Sequence, residues 1–205
     1  METLLGGLQK GMVIVISAPA GTGKTTLSKM LMDEFPSVTE SISCTTRKKR
    51  RGEIEDVHYH FMDNETFEDK IEAGEFLEYA KVFGNYYGTL KAHVDQKCHR
   101  GHHVLLVIDT QGALELKEQG YPAVYIFIEP PSIGELRQRL FNRKTEQEQH
   151  IEERLKWAEK EMELKKHYDY IVKNDNLHRA YDILRSILIA EEHKTERYHD
   201  RRFDE

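Results

Sequence analysis

A chain of 205 residues, 39% hydrophobic and 32% charged, has room for one ample core with one or two inserted lobes and falls within the range of soluble globular proteins. A formal net charge of −6 gives no electrostatic case for nucleic acid or an anionic membrane as partner. Two cysteines, Cys44 and Cys98, cannot build a disulfide framework and read as reduced thiols of a cytoplasmic protein, and neither a signal-peptide start nor a membrane-spanning apolar run is evident.

The first element is an apolar run at 12–16, read as a buried strand. It leads through Ser17 into Ala18-Pro19-Ala20-Gly21-Thr22-Gly23-Lys24-Thr25-Thr26, followed by a helical face of Leu27, Met30 and Leu31. Strand, Gly-rich turn and helix in that order make a phosphate loop. Its backbone N–H groups form a nest for phosphate oxygens, and the positive end of the helix adds to it. Lys24 is placed to reach β/γ-phosphates, and the Thr25 hydroxyl to ligate Mg²⁺. Residues 18–26 are therefore the candidate ATP-binding segment. The pattern G-x-x-x-x-G-K-[ST] is met except at its first position, where Ala18 stands, and that position is read as needing no positive φ. Phe35-Pro36 stops the helix, because a residue before proline avoids the helical region.

Residues 41–90 differ in composition, being rich in charge and aromatics, with extended pieces at 58–61 and 76–82 and a helix at 65–72. They read as a small α+β lobe inserted after the second core strand. Ser43-Cys44-Thr45-Thr46-Arg47-Lys48-Lys49-Arg50-Arg51-Gly52-Glu53 sets cations beside hydroxyl donors, which suits phosphate oxygens. Taken alone, the same run also reads as a solvated basic loop or a nucleic-acid patch. Tyr59 and Gly84-Asn85-Tyr86-Tyr87-Gly88-Thr89 add phenol and hydroxyl donors. Glu78 interrupts an apolar stretch, and a carboxylate buried there needs a partner.

Apolar runs at 104–108, 124–128 and 170–172 do not alternate with polar residues, as expected for parallel strands covered on both faces. Ile151, Leu155, Ala158 and Met162 predict a helix at 148–166. Leu177, Tyr181, Leu184 and Leu188 predict another at 176–190. The order argues for a doubly wound α/β core. Residues 137–154, with Arg137, Arg139, Arg143, Lys144 and Arg154, form a third, basic unit. The polar tail at 191–205 is expected to fray or be disordered. Cys98-His99-Arg100-Gly101-His102-His103 fits no zinc spacing and reads as a helix end and turn. Trp157 reads as packing, and Arg179, Arg185, Arg201 and Arg202 as surface charge.

The phosphate loop, the 43–53 and 84–89 segments, Phe76-Leu77-Glu78, Ile108-Asp109-Thr110-Gln111-Gly112, Arg139-Leu140 with Arg143, and Arg154-Leu155 follow one another over about 10–190 as in a known family. In that ordered set the chain resembles guanylate kinase of the bacterial type. The resemblance implies the P-loop nucleoside-monophosphate kinase fold: an α/β core with a parallel sheet (1–40, 91–136 and 155–190), an inserted α+β GMP-binding lobe (41–90) and a mobile lid (137–154).

By the same resemblance Arg47, Arg50, Tyr59 and Tyr87 look like ligands of the GMP phosphate. Ser43, Glu78 and Thr89 look like guanine readers, with Asp109 nearby. Lys24, Arg47 and the lid cations Arg139, Arg143 and Arg154 look like the catalytic set. The implied substrates are ATP with GMP or dGMP, the implied cofactor is Mg²⁺, and no obligate protein partner is expected. Two positions depart from the family: Val107 stands where an acid is usual, which leaves Asp109 as the partner of either the metal's shell or the guanine amino group, and Lys144 replaces a glycine. A non-catalytic guanylate-kinase-like interaction domain and a kinase of another nucleoside monophosphate are the alternatives.

Overall fold

The computed structural model describes residues 4–5, 10–50, 52–142 and 148–197, with only the backbone at 142 and 148–151. In chain order the elements are β1 (Val13–Ser17), α1 (Lys24–Glu34), β2 (Val38–Glu40), β3 (Cys44–Thr45), β4 (His60–Phe61), α2 (Asn64–Glu72), β5 (Phe76–Val82), β6 (Asn85–Leu90), α3 (Lys91–His99), β7 (His103–Val107), α4 (Thr110–Glu118), β8 (Val124–Glu129), α5 (Ile133–Asn142), α6 (Glu148–Leu164), β9 (Tyr170–Lys173) and α7 (Leu177–Glu192).

The main sheet runs β2-β7-β1-β8-β9 and every pairing in it is parallel. All five residues of β1 are buried because successive side chains enter opposite layers. Ile14 and Ile16 pack with Leu27 and Leu31 of α1 and with Ala180, Leu184 and Leu188 of α7. Val13 and Val15 pack with Val94 and Cys98 of α3 and Ala113 and Leu116 of α4. The continuous apolar runs are thus the signature of a sheet covered on both faces. From β1 the chain crosses to β2, returns to β7 beside β1, and later places β8 on its other side. The strand order reverses at β1, so its C-terminal end opens on a crevice where ligands of such sheets bind.

The 41–90 segment forms a separate sheet, β4-β3-β6-β5, around Phe67. That ring is stacked between Phe76 at 4.3 Å and Tyr86 at 5.1 Å. Gly88 is needed there, since a Cβ would lie 2.9 Å from Phe76 and 3.0 Å from Phe67. Asp63 caps α2 by accepting from the Thr66 N–H at 2.8 Å.

Several expectations change in detail. The short strand β2 escaped the reading by apolar runs, because only Val38 in it is buried. Helix α1 does end before Phe35, whose backbone is extended at φ −116°. Helix α7 runs past 190 to Glu192, so the start assigned to the polar tail is corrected: Glu191 and Glu192 are buried. Glu192 accepts from the buried His103 at 2.8 Å. The Met12 N–H donates to His103 Nδ1, so Nε2 carries the proton given to Glu192. Arg185 ties α7 to α1 through Glu34 at 2.6 Å rather than standing as free surface charge. Residues 198–205 lie outside the described residues. Among those described, no helix is long and apolar enough to cross a membrane.

Candidate active site

A cleft of about 220 Å³ lies between the C-terminal edge of the main sheet, the 41–90 lobe and α6. Four parts of the chain line it: Ala18, Ala20 and Lys24 from the phosphate loop; Ser43, Tyr59, Glu78, Val82, Phe83, Tyr87 and Gly88 from the lobe; Val107, Ile108 and Asp109 after β7; and Trp157 and Glu161 from α6.

The phosphate loop owes its shape to two glycines and a brace. Gly21 and Gly23 have φ of 88° and 103°, where an L side chain is strained, whereas Ala18 is not in that region. The first-position alanine is therefore compatible with the loop. The Thr22 hydroxyl donates to the Pro19 carbonyl at 2.7 Å. The Asn174 amide, from the loop after β9, donates to the Thr22 carbonyl at 2.7 Å. Asn174 had no place in the sequence reading, because the contact spans 152 positions. Lys24 donates to the Ala18 carbonyl. Thr25 and Thr26 are exposed in the first turn of α1.

In the lobe, the β5–β6 pairing slips between Phe76 and Glu78, and two consecutive residues, Leu77 and Glu78, turn inward. An irregularity of this kind re-aims a side chain. It sends Glu78 into the cleft opposite Thr89, whose hydroxyl donates to Glu78 Oε1 at 2.6 Å. A Cβ on Gly112 would come within 2.2 Å of Glu78 Oε2, so α4 can pass the carboxylate only because that position is glycine. Burial pushes Glu78 up to about 8; donation from Thr89 opposes the shift, and the charges of Asp109 and Glu115 add to it.

At the mouth of the lobe, Arg47 is held by both oxygens of Glu53, at 2.7 and 3.0 Å. The guanidinium lies 5.3 Å from the centroid of the Tyr59 ring, and the Tyr59 and Tyr87 rings meet edge-on at 6.1 Å. The Arg50 N–H also donates to Glu53, at 2.7 Å. Hydrogen bonding from Arg47 lowers Glu53 to about 2. Glu53 ends the basic run, and its role as the clamp of Arg47 is seen only in the folded chain.

Asp109 caps α4, accepting from the N–H groups of Gln111 and Gly112 at 2.7 and 3.2 Å. Val107 presents an apolar surface to the same cleft. Another carboxylate comes from Glu161, buried on α6 and receiving the Thr110 hydroxyl at 3.3 Å. Burial raises the Glu161 pKa and the Lys24 charge opposes that rise. Its signal in the sequence was an acid three residues after Ala158, inside the apolar stripe of α6.

Neither Arg139 nor Arg154 is among the residues that line the cleft. Arg139 pairs with Glu135 of its own helix at 3.4 Å and does not line the cleft. Arg143 and Lys144 lie outside the described residues. Arg154 sits over Phe83, 5.8 Å from the ring centroid, and Trp157 packs on the same ring at 6.1 Å. Trp157 therefore packs, as expected, but does so at the cleft wall.

Lys24, Asp109 and Glu161 line one cleft, and the Thr25 hydroxyl follows Lys24 in the first turn of α1. Hard oxygen donors of this kind fit Mg²⁺. Two carboxylates beside one ammonium also leave negative charge that a divalent cation offsets.

The family model for guanylate kinase matches residues 10–191. The chain is 53% identical to a guanylate kinase of Protochlamydia amoebophila over 192 residues, covering 93% of this chain and 97% of that one. It is 46% identical to a guanylate kinase of Clostridium tetani, covering 94% and 92%. The crystal structure of guanylate kinase from Anaplasma phagocytophilum aligns with a TM-score of 0.76 at 36% identity, over 92% of this chain and 89% of that chain. With the phosphate loop, the inserted lobe and the buried acid in the places described, the chain belongs to the guanylate kinase family.

Proposed function

We propose that the chain transfers the γ-phosphoryl group of ATP to GMP, and also to dGMP, yielding ADP and the nucleoside diphosphate, as a cytoplasmic enzyme of purine nucleotide metabolism. The observation that carries this reading is the juxtaposition, in one cleft, of the Lys24 phosphate loop and the buried Glu78 carboxylate.

The guanine edge offers two donors, N1–H and the N2 amino group. An ionised Glu78 accepts from both, while Ser43 faces the same space as a donor for O6. Thr89 fixes one oxygen of Glu78. Adenine carries an acceptor at N1 and would set a lone pair against the carboxylate. A site built to bond the missing groups rejects such an analogue by roughly 10⁴-fold.

Arg47, with Tyr59 and Tyr87 beside it, supplies the cation and phenols for the GMP phosphate, and Arg50 flanks them on the same loop. The nest of residues 18–26 and Lys24 holds the ATP phosphates. Mg²⁺, held through Thr25 with carboxylate support, would neutralise charge on the β- and γ-oxygens. The GMP phosphate is already an anionic nucleophile at neutral pH, so no side chain is assigned as a base. Lys24 and Arg47 act by holding two polyanions in line and neutralising the group in transit, and the lid cations Arg139, Arg143 and Arg154 join them when the lid closes.

A coupled assay with GMP, dGMP, AMP, UMP and CMP as acceptors tests the proposal. Turnover confined to the guanine nucleotides is expected. Turnover with another base, or with none, overturns it.

A further inference from the structure

The buried acid on α6 has no task in the scheme above. Glu161 is 5% exposed, yet it lines the cleft together with Lys24 and Asp109. A carboxylate so buried has to be compensated. The compensation visible here is partial: one hydrogen bond from Thr110 at 3.3 Å and the positive charge of Lys24. Thr110 is itself buried, in the first turn of α4 directly after Asp109, so Glu161 and Asp109 are held from two helices against one end of the cleft. Tyr168 registers the same crowding: burial first, and then the charges of Glu161 and Asp109, raise its phenol pKa. Val107 lines the same cleft and has no polar atom in its side chain.

We propose that Glu161 is a positioning residue for the metal end of this site: its carboxylate, set beside Asp109 and Lys24, holds the water shell of the cation carried in with the nucleotide, a task that Val107 cannot perform. The inference rests on the phosphoryl-transfer reading. It adds that α6, whose first turns belong to the basic lid segment, contributes to cation binding and not only to closure over the substrates. An outer partner of this kind is typically worth 10- to 100-fold in metal affinity.

The test is electron paramagnetic resonance titration of Mn²⁺, which shares the preference of Mg²⁺ for oxygen ligands, into the full chain with ADP. Glu161→Gln keeps the shape and an acceptor for Thr110, and is expected to weaken Mn²⁺ about ten-fold. ADP affinity in EDTA and GMP affinity, followed by the fluorescence of the single tryptophan, Trp157, are expected to stay within about two-fold of wild type. Placing an acid at another position lining the cleft, as Val107→Asp in the Glu161→Gln background, is expected to restore Mn²⁺ binding, which no merely structural role predicts. Thr110→Val keeps the charge and removes only the hydrogen bond, so it serves if the glutamine variant does not fold; a smaller loss in the same direction is expected.

An unchanged Mn²⁺ constant in the variants overturns the inference alone. So does an equal loss of metal-free ADP and GMP binding, which marks Glu161 as structural. Wild-type protein that takes up no Mn²⁺-ADP sinks the reading of the cleft as a nucleotide site, and this inference with it.

Discussion

Glu78 and Thr89 face one another across the β5–β6 pairing, and the threonine hydroxyl donates to the buried carboxylate at 2.6 Å. The bond fixes one oxygen of an acid that burial holds at about 8, well above its ordinary 4.5. In the unbound protein the acid is mostly protonated at pH 7, while guanine requires it as an acceptor. GMP binding should therefore expel a proton. Affinity for GMP should rise about five-fold between pH 7 and 8 and level off above that, in a window clear of the phosphate's own ionisation near ~6. Calorimetry in buffers of different ionisation enthalpy measures the released proton, and Glu78→Gln should abolish both the release and the slope.

The same shift carries a stability consequence. Between pH 4.5 and about 8 the folded chain holds a proton at Glu78 that the unfolded chain releases. The folded state binds more protons there, so stability falls as pH rises through that window. Glu78→Gln removes the dependence. Its melting temperature should gain on wild type from pH 5 to pH 8, by an amount corresponding to about 1–3 kcal/mol, while its KM for GMP rises and its KM for ATP does not. A constant difference in Tm between the two proteins across that range contradicts the assignment.

Gly112→Ala tests the space around the same carboxylate. The added Cβ meets Glu78 Oε2 at 2.2 Å, so the acid must move by about an ångström. The backbone of Gly112 does not need a positive φ, so the fold should survive. A misplacement of that size costs roughly 10²-fold in kcat/KM for GMP. Steady-state kinetics beside a thermal melt separate this from unfolding.

Lys24→Ala should leave the fold and GMP binding nearly intact and reduce kcat by at least about 10²-fold, since Lys24 lines the cleft from the phosphate loop whereas Ser43 and Glu78 line it from the lobe. Stopped-flow Trp157 fluorescence with GMP gives the binding term, and single-turnover phosphoryl transfer gives the chemical one. Turnover near wild type removes Lys24 from its assigned role.

The Arg47–Glu53 clamp gives a different signature. Both carboxylate oxygens hold the guanidinium in place. Glu53→Gln should raise the KM for GMP about three- to ten-fold with a smaller change in kcat, because a preorganised cation becomes a mobile one. Glu53 titrates near about 2, so the clamp is fully ionised from pH 5 to 8 and adds no pH dependence of its own there. A Glu53→Gln protein with an unaltered KM for GMP contradicts the clamp.

What could be read in advance follows the range of the interactions. The phosphate loop is local, since Gly21, Gly23 and Lys24 act within a few residues, and its outline stands in the sequence. The core strands were legible because burial on both faces makes them continuously apolar. Glu78 was legible as an acid in an apolar run, but not the irregularity at Phe76–Glu78 that turns it inward, nor Gly112 that makes room for it. Asn174 bracing Thr22 depends on packing between distant segments, for which one sequence offers no local sign; Glu161 stands in the sequence as an acid within the apolar stripe of α6, but its partner Thr110 does not follow from that. A second core strand was expected before the lobe, but β2 could not be located because three residues with one buried side chain carry no period to detect.

The most direct test of the central claim, that a buried acid chooses the base while fixed cations hold the phosphates, is the ratio of kcat/KM for GMP to that for AMP in wild type and in Glu78→Gln, with ATP and Mg²⁺ present. A wild-type ratio of about 10⁴ that falls at least about 100-fold in the variant is expected. A ratio that does not respond to the substitution, or wild-type protein that moves no phosphate onto GMP, contradicts the account.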